Sequence, residues 1–161
     1  MTAAWSNEHI YNELACSEFL ADYEAVLSGC EEISQLSSQL VQCEDSQAVT
    51  LLQAIQQSLE RWGTTLAELR AYVFGHLAID GSDLNGQKWQ GKLEKAQAGF
   101  EYATSAYRRF LATCDKAIID EFLAAPGFAA HSFQIKRLRQ QASACAEEKT
   151  QDSSRTTGGK F

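Results

Sequence analysis

The sequence predicts an all-α protein, a bundle of three long antiparallel helices followed by two shorter C-terminal helices. Three observations predict it. Apolar residues recur at alternating spacings of four and three along three successive stretches, which sets each series on one seam of a helix. The connections between those stretches are only a few residues long, which forces neighbouring helices to run antiparallel. A single proline, Pro126, stands in a chain of 161 residues, as suits long uninterrupted helix.

The first helix is expected over 17–43, with Phe19, Tyr23, Val26, Cys30, Ile33, Ser37 and Leu40 on its seam. Ser17 stands where an N-cap belongs, and Glu18 in the first turn suits the helix dipole. Glu44-Asp45-Ser46 is a tight connection to a second helix over 47–79, about 50 Å long at helical rise. Its seam reads Ala48, Leu52, Ile55, Leu59, Trp62, Leu66, Leu69, Val73, His76. Gly63 and Gly75 each weaken it by about 1 kcal/mol relative to alanine and mark a bend or a close contact.

Asp80-Gly81-Ser82-Asp83 is a turn in which Asp83 caps a third helix over 84–114. That seam reads Trp89, Leu93, Ala96, Phe100, Ala103, Tyr107, Phe110, Cys114. Asp115 caps a short fourth helix through Leu123, whose inner face is Ile118, Ile119, Phe122 and Leu123. Ala125-Pro126-Gly127 breaks the chain before a fifth helix over 128–145, with Phe128, Ile135, Leu138, Ala142 and Cys145 on one side. The domain plan is therefore a lead-in over 1–16 anchored by Trp5 and Tyr11, a bundle over 17–145, and a polar tail over 146–161. That tail is too poor in apolar residues to offset its ordering entropy and is expected to be disordered.

The second and third helices should bury Leu59, Trp62, Leu66, Phe100, Ala103 and Tyr107 between them. Leu51, Leu77, Leu84, Leu111, Phe122, Phe128 and Phe133 are more than one core of this size accommodates. Some of them are expected on an accessible docking face, able to pair two copies into a homodimer.

Hydrophobic residues make up 45% and charged residues 22%, ordinary for a globular domain. No apolar run approaches the about 18 residues of a membrane span, and the start lacks the basic and apolar regions of a secretory signal. Five cysteines, without a Cys-x-x-Cys pair, read as reduced packing residues of a cytoplasmic protein. The net charge of −7 is unevenly placed: residues 1–60 hold ten acids and no lysine or arginine, while 61–161 hold eleven acids and all fourteen bases. An acidic first half argues against nucleic-acid binding. It reads as a solvated face of the first helix, partly paired with basic faces of later helices, the alternative being an acidic surface that favours cationic ligands or a basic partner domain.

The three histidines, His9, His76 and His131, form no His-Glu-x-x-His zinc helix, and no Glu-x-x-His pair occurs that a di-iron bundle needs. His76 is a lone polar residue on a seam, expected to be a satisfied structural histidine. The glycines follow no strand and make no phosphate loop, and no Ser-His-Asp or Cys-His set has a workable spacing. Trp62, Trp89, Phe100 and Tyr107 lie at helical spacing and read as core. Glu31-Glu32 and Asp120-Glu121 read as solvated surface. No catalytic, cofactor-binding or metal-binding residue is assigned.

One segment has a familiar order. Leu66 to Asp80 ends a helix with Leu-Arg-Ala-Tyr-Val-Phe-Gly-His-Leu-Ala-Ile-Asp, and the 80–83 turn follows. Next come a long helix starting Lys-Leu-Glu-Lys-Ala and ending Tyr107-Arg108-Arg109-Phe110-Leu111, and the short Ile118–Ala124 helix. Pro126-Gly127-Phe128 then leads into a helix ending Lys136-Arg137-Leu138-Arg139. This order resembles the N-terminal helical domain of oligoendopeptidase F, of the M3 family of zinc metallopeptidases. Ala4-Trp5-Ser6 through Tyr11 is similar to the start of that domain, so the resemblance spans roughly residues 4–140.

The resemblance implies a helical region that packs over a larger catalytic domain and walls or gates a groove for short, unstructured peptides. It implies zinc, its ligands and the glutamate base only in that catalytic domain. None of those motifs occurs in this chain, so no catalytic residue carries over. The pattern departs near Gln140, where the family continues into further helices and this chain turns to Gln-Gln-Ala-Ser-Ala-Cys-Ala. An excised domain, a truncated product and a free-standing relative all accommodate that departure. The rival reading is a free-standing helical interaction module, a coiled-coil-like adaptor whose seams take a partner helix. An enzyme in its own right is set aside for want of a convergent polar site.

Overall fold

Every residue of the three seams is buried or half-buried, so helical spacing alone placed the core faces of the long helices. The computed structural model describes the backbone of residues 10–156 and side chains through residue 144. Trp5, His9 and the Cys145 side chain lie outside that range. The elements are α1 (Ser17–Gln42), α2 (Asp45–Ile79), α3 (Leu84–Thr113), α4 (Lys116–Ala124), a 3₁₀ turn at Ala129–His131, and α5 (Ser132–Thr156). No strand occurs among the described residues. The long helices pack against one another, α1 on both α2 and α3.

The core has two parts. One joins Ile33, Leu40, Leu52 and Ile55 to Ala103, Tyr107 and Leu111, and is completed by Ile118, Ile119 and Phe122 of α4, by Phe128 and by Ile135 of α5. The other joins Tyr11, Phe19 and Val26 to Leu66, Leu69, Tyr72 and Val73 and to Trp89, Leu93 and Ala96. It is built on aromatic edges: Phe19 meets Trp89 with ring centres 4.9 Å apart and Tyr11 meets Tyr72 at 5.1 Å, both edge to face, a favoured geometry. Tyr11 also donates to Asp22 at 2.7 Å, which anchors the lead-in to α1.

Several local expectations change. Leu66, Ala103 and Tyr107 are buried, but Leu59, Trp62 and Phe100 are only half-buried. Trp62 lies flat across Gly29 of α1, where any Cβ would overlap its indole ring. From there its Nε1 donates to Glu32 at 3.3 Å and the Arg61 guanidinium stacks on its outer face. Phe100 sits where the two parts of the core meet. Gly63 causes no break; the Phe100 ring rests on it at ordinary contact distance. Ser17 begins α1 rather than capping it: Cys16 holds the cap position without a side-chain hydrogen bond, and Asp115 likewise caps α4 by position alone.

Ala125-Pro126-Gly127 does end α4, with Gly127 at φ +88°, a left-handed conformation that glycine adopts without strain. A 3₁₀ turn intervenes before α5, and α5 continues to Thr156, past the shift in composition at Ala146. Alanine, glutamate, lysine and glutamine in that stretch are good helix formers. Residues 157–161, the end of the expected tail, lie outside the described range.

Candidate interaction surface

The two C-terminal helices cover only half of the α2–α3 pair. α4 lies on the Ala48–Ile55 part of α2. His131 then meets Glu60 at 2.9 Å, and Arg139 donates through Nη1 to the Leu111 and Cys114 carbonyls at 2.8 and 2.9 Å. α5 therefore runs beside the second half of α3, toward its C-terminus and away from the 80–83 turn. Nothing among the described residues lies over the other half, opposite α1.

What remains there is a groove of about 500 Å³ lined by Arg70, Ala71, Val73, Phe74, Leu77 and Ala78 of α2 and by Gln90, Leu93 and Glu94 of α3. Buried Val73 and Leu93 form its floor. Phe74 stands on its α2 wall with 77% of its surface exposed, unusual for a phenylalanine unless something covers it. At one end Arg70 Nη1 donates across the groove to Gln97 Oε1 at 3.1 Å.

The other end is held by the turn. Asp83 accepts from the backbone N–H groups of Asn85 at 3.1 Å and Gly86 at 2.9 Å, and its Oδ2 also meets His76 Nε2 at 2.8 Å. The expected cap and the expected structural histidine are thus one constellation, which clamps the end of α2 to the start of α3. The hydrogen bond from His76 and then those from Gly86 and Asn85 hold the Asp83 carboxyl below its usual range. Gly86 lets the helices close there, since a Cβ would stand 2.7 Å from Leu77 Cδ2.

A second, smaller cleft of about 250 Å³ lies between α2, α3 and α5. Tyr107 donates there to Gln56 Oε1 at 2.8 Å, and His131 pairs with Glu60. Burial pushes the Tyr107 phenol up, so it stays a proton donor. These bonds tie α2 to α3 and to the 3₁₀ turn.

Among the described residues no three His, Cys, Asp or Glu side chains come together to hold a metal. Of the histidines, His76 and His131 sit in separate carboxylate pairs. Glu32 is not merely solvated: it accepts from Ser58 and Trp62 and joins α1 to α2. Among the described residues no α1 carboxylate is ion-paired with a lysine or arginine, so the pairing expected with later helices is not made. Of the surplus apolar residues, Leu84 and Phe133 are exposed, Leu51 and Leu77 half-buried, and Leu111, Phe122 and Phe128 buried. Phe74 was not among them, although Ala67, Ala71, Phe74 and Ala78 form a second stripe at helical spacing.

No helix among the described residues is long and apolar enough to cross a membrane. No known protein family, curated protein or solved structure matches the chain.

Proposed function

We propose that this chain is a non-catalytic helical interaction domain whose α2–α3 groove receives a helix from another protein surface. The half-filled fourth position of the bundle carries the reading. α4 and α5 show how an amphipathic segment completes the α2–α3 seam at one end, and at the other α2 presents exposed Phe74 and Ala78 beside half-buried Leu77 in an open groove. Helix-in-groove docking uses this kind of surface, with anchors at helical spacing.

The resemblance to oligoendopeptidase F gives the proposal its specific form. In it the docked surface belongs to the zinc-bearing catalytic domain of an M3-type peptidase, and this domain walls or gates the peptide groove. Zinc and the hydrolase chemistry then reside in that partner. The free-standing adaptor is the second reading, favoured by a groove bounded at both ends, by Arg70–Gln97 and by His76–Asp83, as suits one short helix. A cytoplasmic setting belongs to both forms: Cys16, Cys30, Cys43 and Cys114 are free thiols half-buried on helical faces, a use that a reducing compartment permits.

The test is a synthetic helix of about three turns with a leucine seam and glutamine flanks, titrated into the protein with amide shifts followed by NMR. Binding that perturbs residues 70–78 and 90–94, and that Phe74→Lys abolishes, is expected. Failure to bind, or shifts confined to another face, overturns the reading. Reading the DNA downstream of the frame separates the two forms: an in-frame His-Glu-x-x-His segment supports the peptidase domain, and its absence the adaptor.

A further inference from the structure

We propose that the helix received by the groove is cationic on one flank: apolar along the face that meets Val73, Phe74, Leu77 and Leu93, and bearing Lys or Arg where it lies against α3. This rests on the interaction-domain reading above and adds the chemistry of the partner. The two walls of the groove differ. The α2 wall is apolar, formed by Ala71, Phe74, Leu77 and Ala78. The α3 flank carries Gln87, Gln90, Glu94, Gln97 and Glu101 at spacings of three and four, a polar row parallel to the groove.

Three glutamines of that row have each given one of their two amide N–H donors to an acceptor already at hand. Gln90 Nε2 donates to Glu94 at 3.3 Å, Gln97 Nε2 to Glu101 at 2.9 Å, and Gln87 Nε2 to the Gly81 carbonyl at 2.9 Å. A carboxylate has about four acceptor positions, so Glu94 and Glu101 retain most of theirs. Among the described residues neither is paired with a cation. The lysines of α3 do not share the flank. Lys88, Lys92 and Lys95 recur on the opposite one, where Lys92 Nζ lies 4.1 Å from the centre of the Trp89 ring and 5.9 Å from that of Tyr23, on the α1 side.

Arg70 is the one base lining the groove, and it is already bonded to Gln97. A basic flank meets Glu94 in the groove and reaches toward Glu101, one turn past its Arg70–Gln97 end, and is steered by the net charge of −7, whereas an acidic flank is repelled by both carboxylates. Groove-to-groove pairing that sets α3 on α3 brings the same carboxylates toward each other, which disfavours that occupant.

Two synthetic helices with one leucine seam, flanked by lysine or by glutamate, are titrated into the full chain at low salt by calorimetry. The lysine-flanked helix is expected to bind at least about tenfold tighter, with the gap shrinking in salt. Glu94→Lys with Glu101→Lys should invert the preference. Glu24→Lys with Glu31→Lys, an equal change of charge on α1, should leave it standing. Equal affinity for both helices overturns the proposal while the interaction domain survives. Equal loss from the α1 variant assigns the effect to overall charge and overturns it too. A free chain that sediments as a dimer through the groove, closed to either helix, makes a second copy the occupant. Failure of all helices, the glutamine-flanked one included, takes down both proposals.

Discussion

The two halves of the α2–α3 pair begin from the same pattern and end differently. Toward the N-terminus of α2, Leu52 and Ile55 face Tyr107 and Leu111 and are roofed by Ile118, Ile119 and Phe122. Toward the turn, Val73 and Leu93 are packed against α1 and the lead-in, yet they open on the other side into the groove. Both halves bury a seam, so both are stable. The second also presents an apolar groove that the described chain leaves uncovered. The difference is one of length and direction: α4 spans nine residues, and after Gly127 α5 leads away from the turn. Under the proposed function, recognition falls to the open half.

Breaking the roof should have the largest effect. Phe122 is fully buried and packs on Phe128 with ring centres 5.0 Å apart, so Phe122→Ala is expected to cost about 3–5 kcal/mol in denaturant unfolding. A loss below about 1 kcal/mol means that α4 is not an integral part of the core.

The seat of Trp62 on Gly29 lies between the halves. Gly29→Ala favours helix by about 1 kcal/mol, but the rigid indole must move, at a cost of about 1–3 kcal/mol. Net destabilisation with an altered tryptophan emission is expected, and an unchanged spectrum with higher stability contradicts the close approach.

At the open end, the Asp83 carboxyl is held below its ordinary value of 3.8 by His76 and two backbone N–H groups. A lowered folded-state pKa stabilises above the unfolded value, and that contribution is lost as pH falls through the folded one. Asp83→Ala should therefore lower Tm at neutral pH, with the gap to the parent closing as the pH drops below about 3.8. A gap that stays open in acid assigns the loss to something other than the charged cap.

The smallest stability effect belongs to the residue most exposed in the groove. Phe74→Ser should change the unfolding free energy by no more than about 0.5 kcal/mol, although Phe74→Lys at the same position is expected to abolish helix binding. A large loss of stability at this position, measured by thermal melting, would mean that Phe74 is structural and the two halves are less different than they look.

Much of this was legible from one-dimensional spacing. The three seams, the 80–83 turn, the Asp83 cap, the break at Pro126-Gly127 and the inner face of α4 follow from helical period and turn chemistry. The surface proved harder. Phe74 sits one place from the seam residue Val73, and periodicity cannot tell a second stripe that is covered from one that is not. Gly29 looked like any helical glycine, because its partner Trp62 lies 33 positions away in sequence. Glu32 looked solvated for the same reason: the Ser58 and Trp62 donors arrive from another helix.

The sequence by itself determined that the chain is all-α, where its long helices begin and turn, and which faces they bury. Those are local properties, set by a period of 3.6 residues, by caps and by the few residues between helices. Tertiary structure alone decided that α4 and α5 roof one half of α2–α3, that Trp62 rides over Gly29, and that Phe74 faces an open groove beside an acidic flank. Such outcomes depend on the direction a helix takes after a turn and on partners distant in sequence. Both are settled by packing over the whole bundle rather than by any one segment.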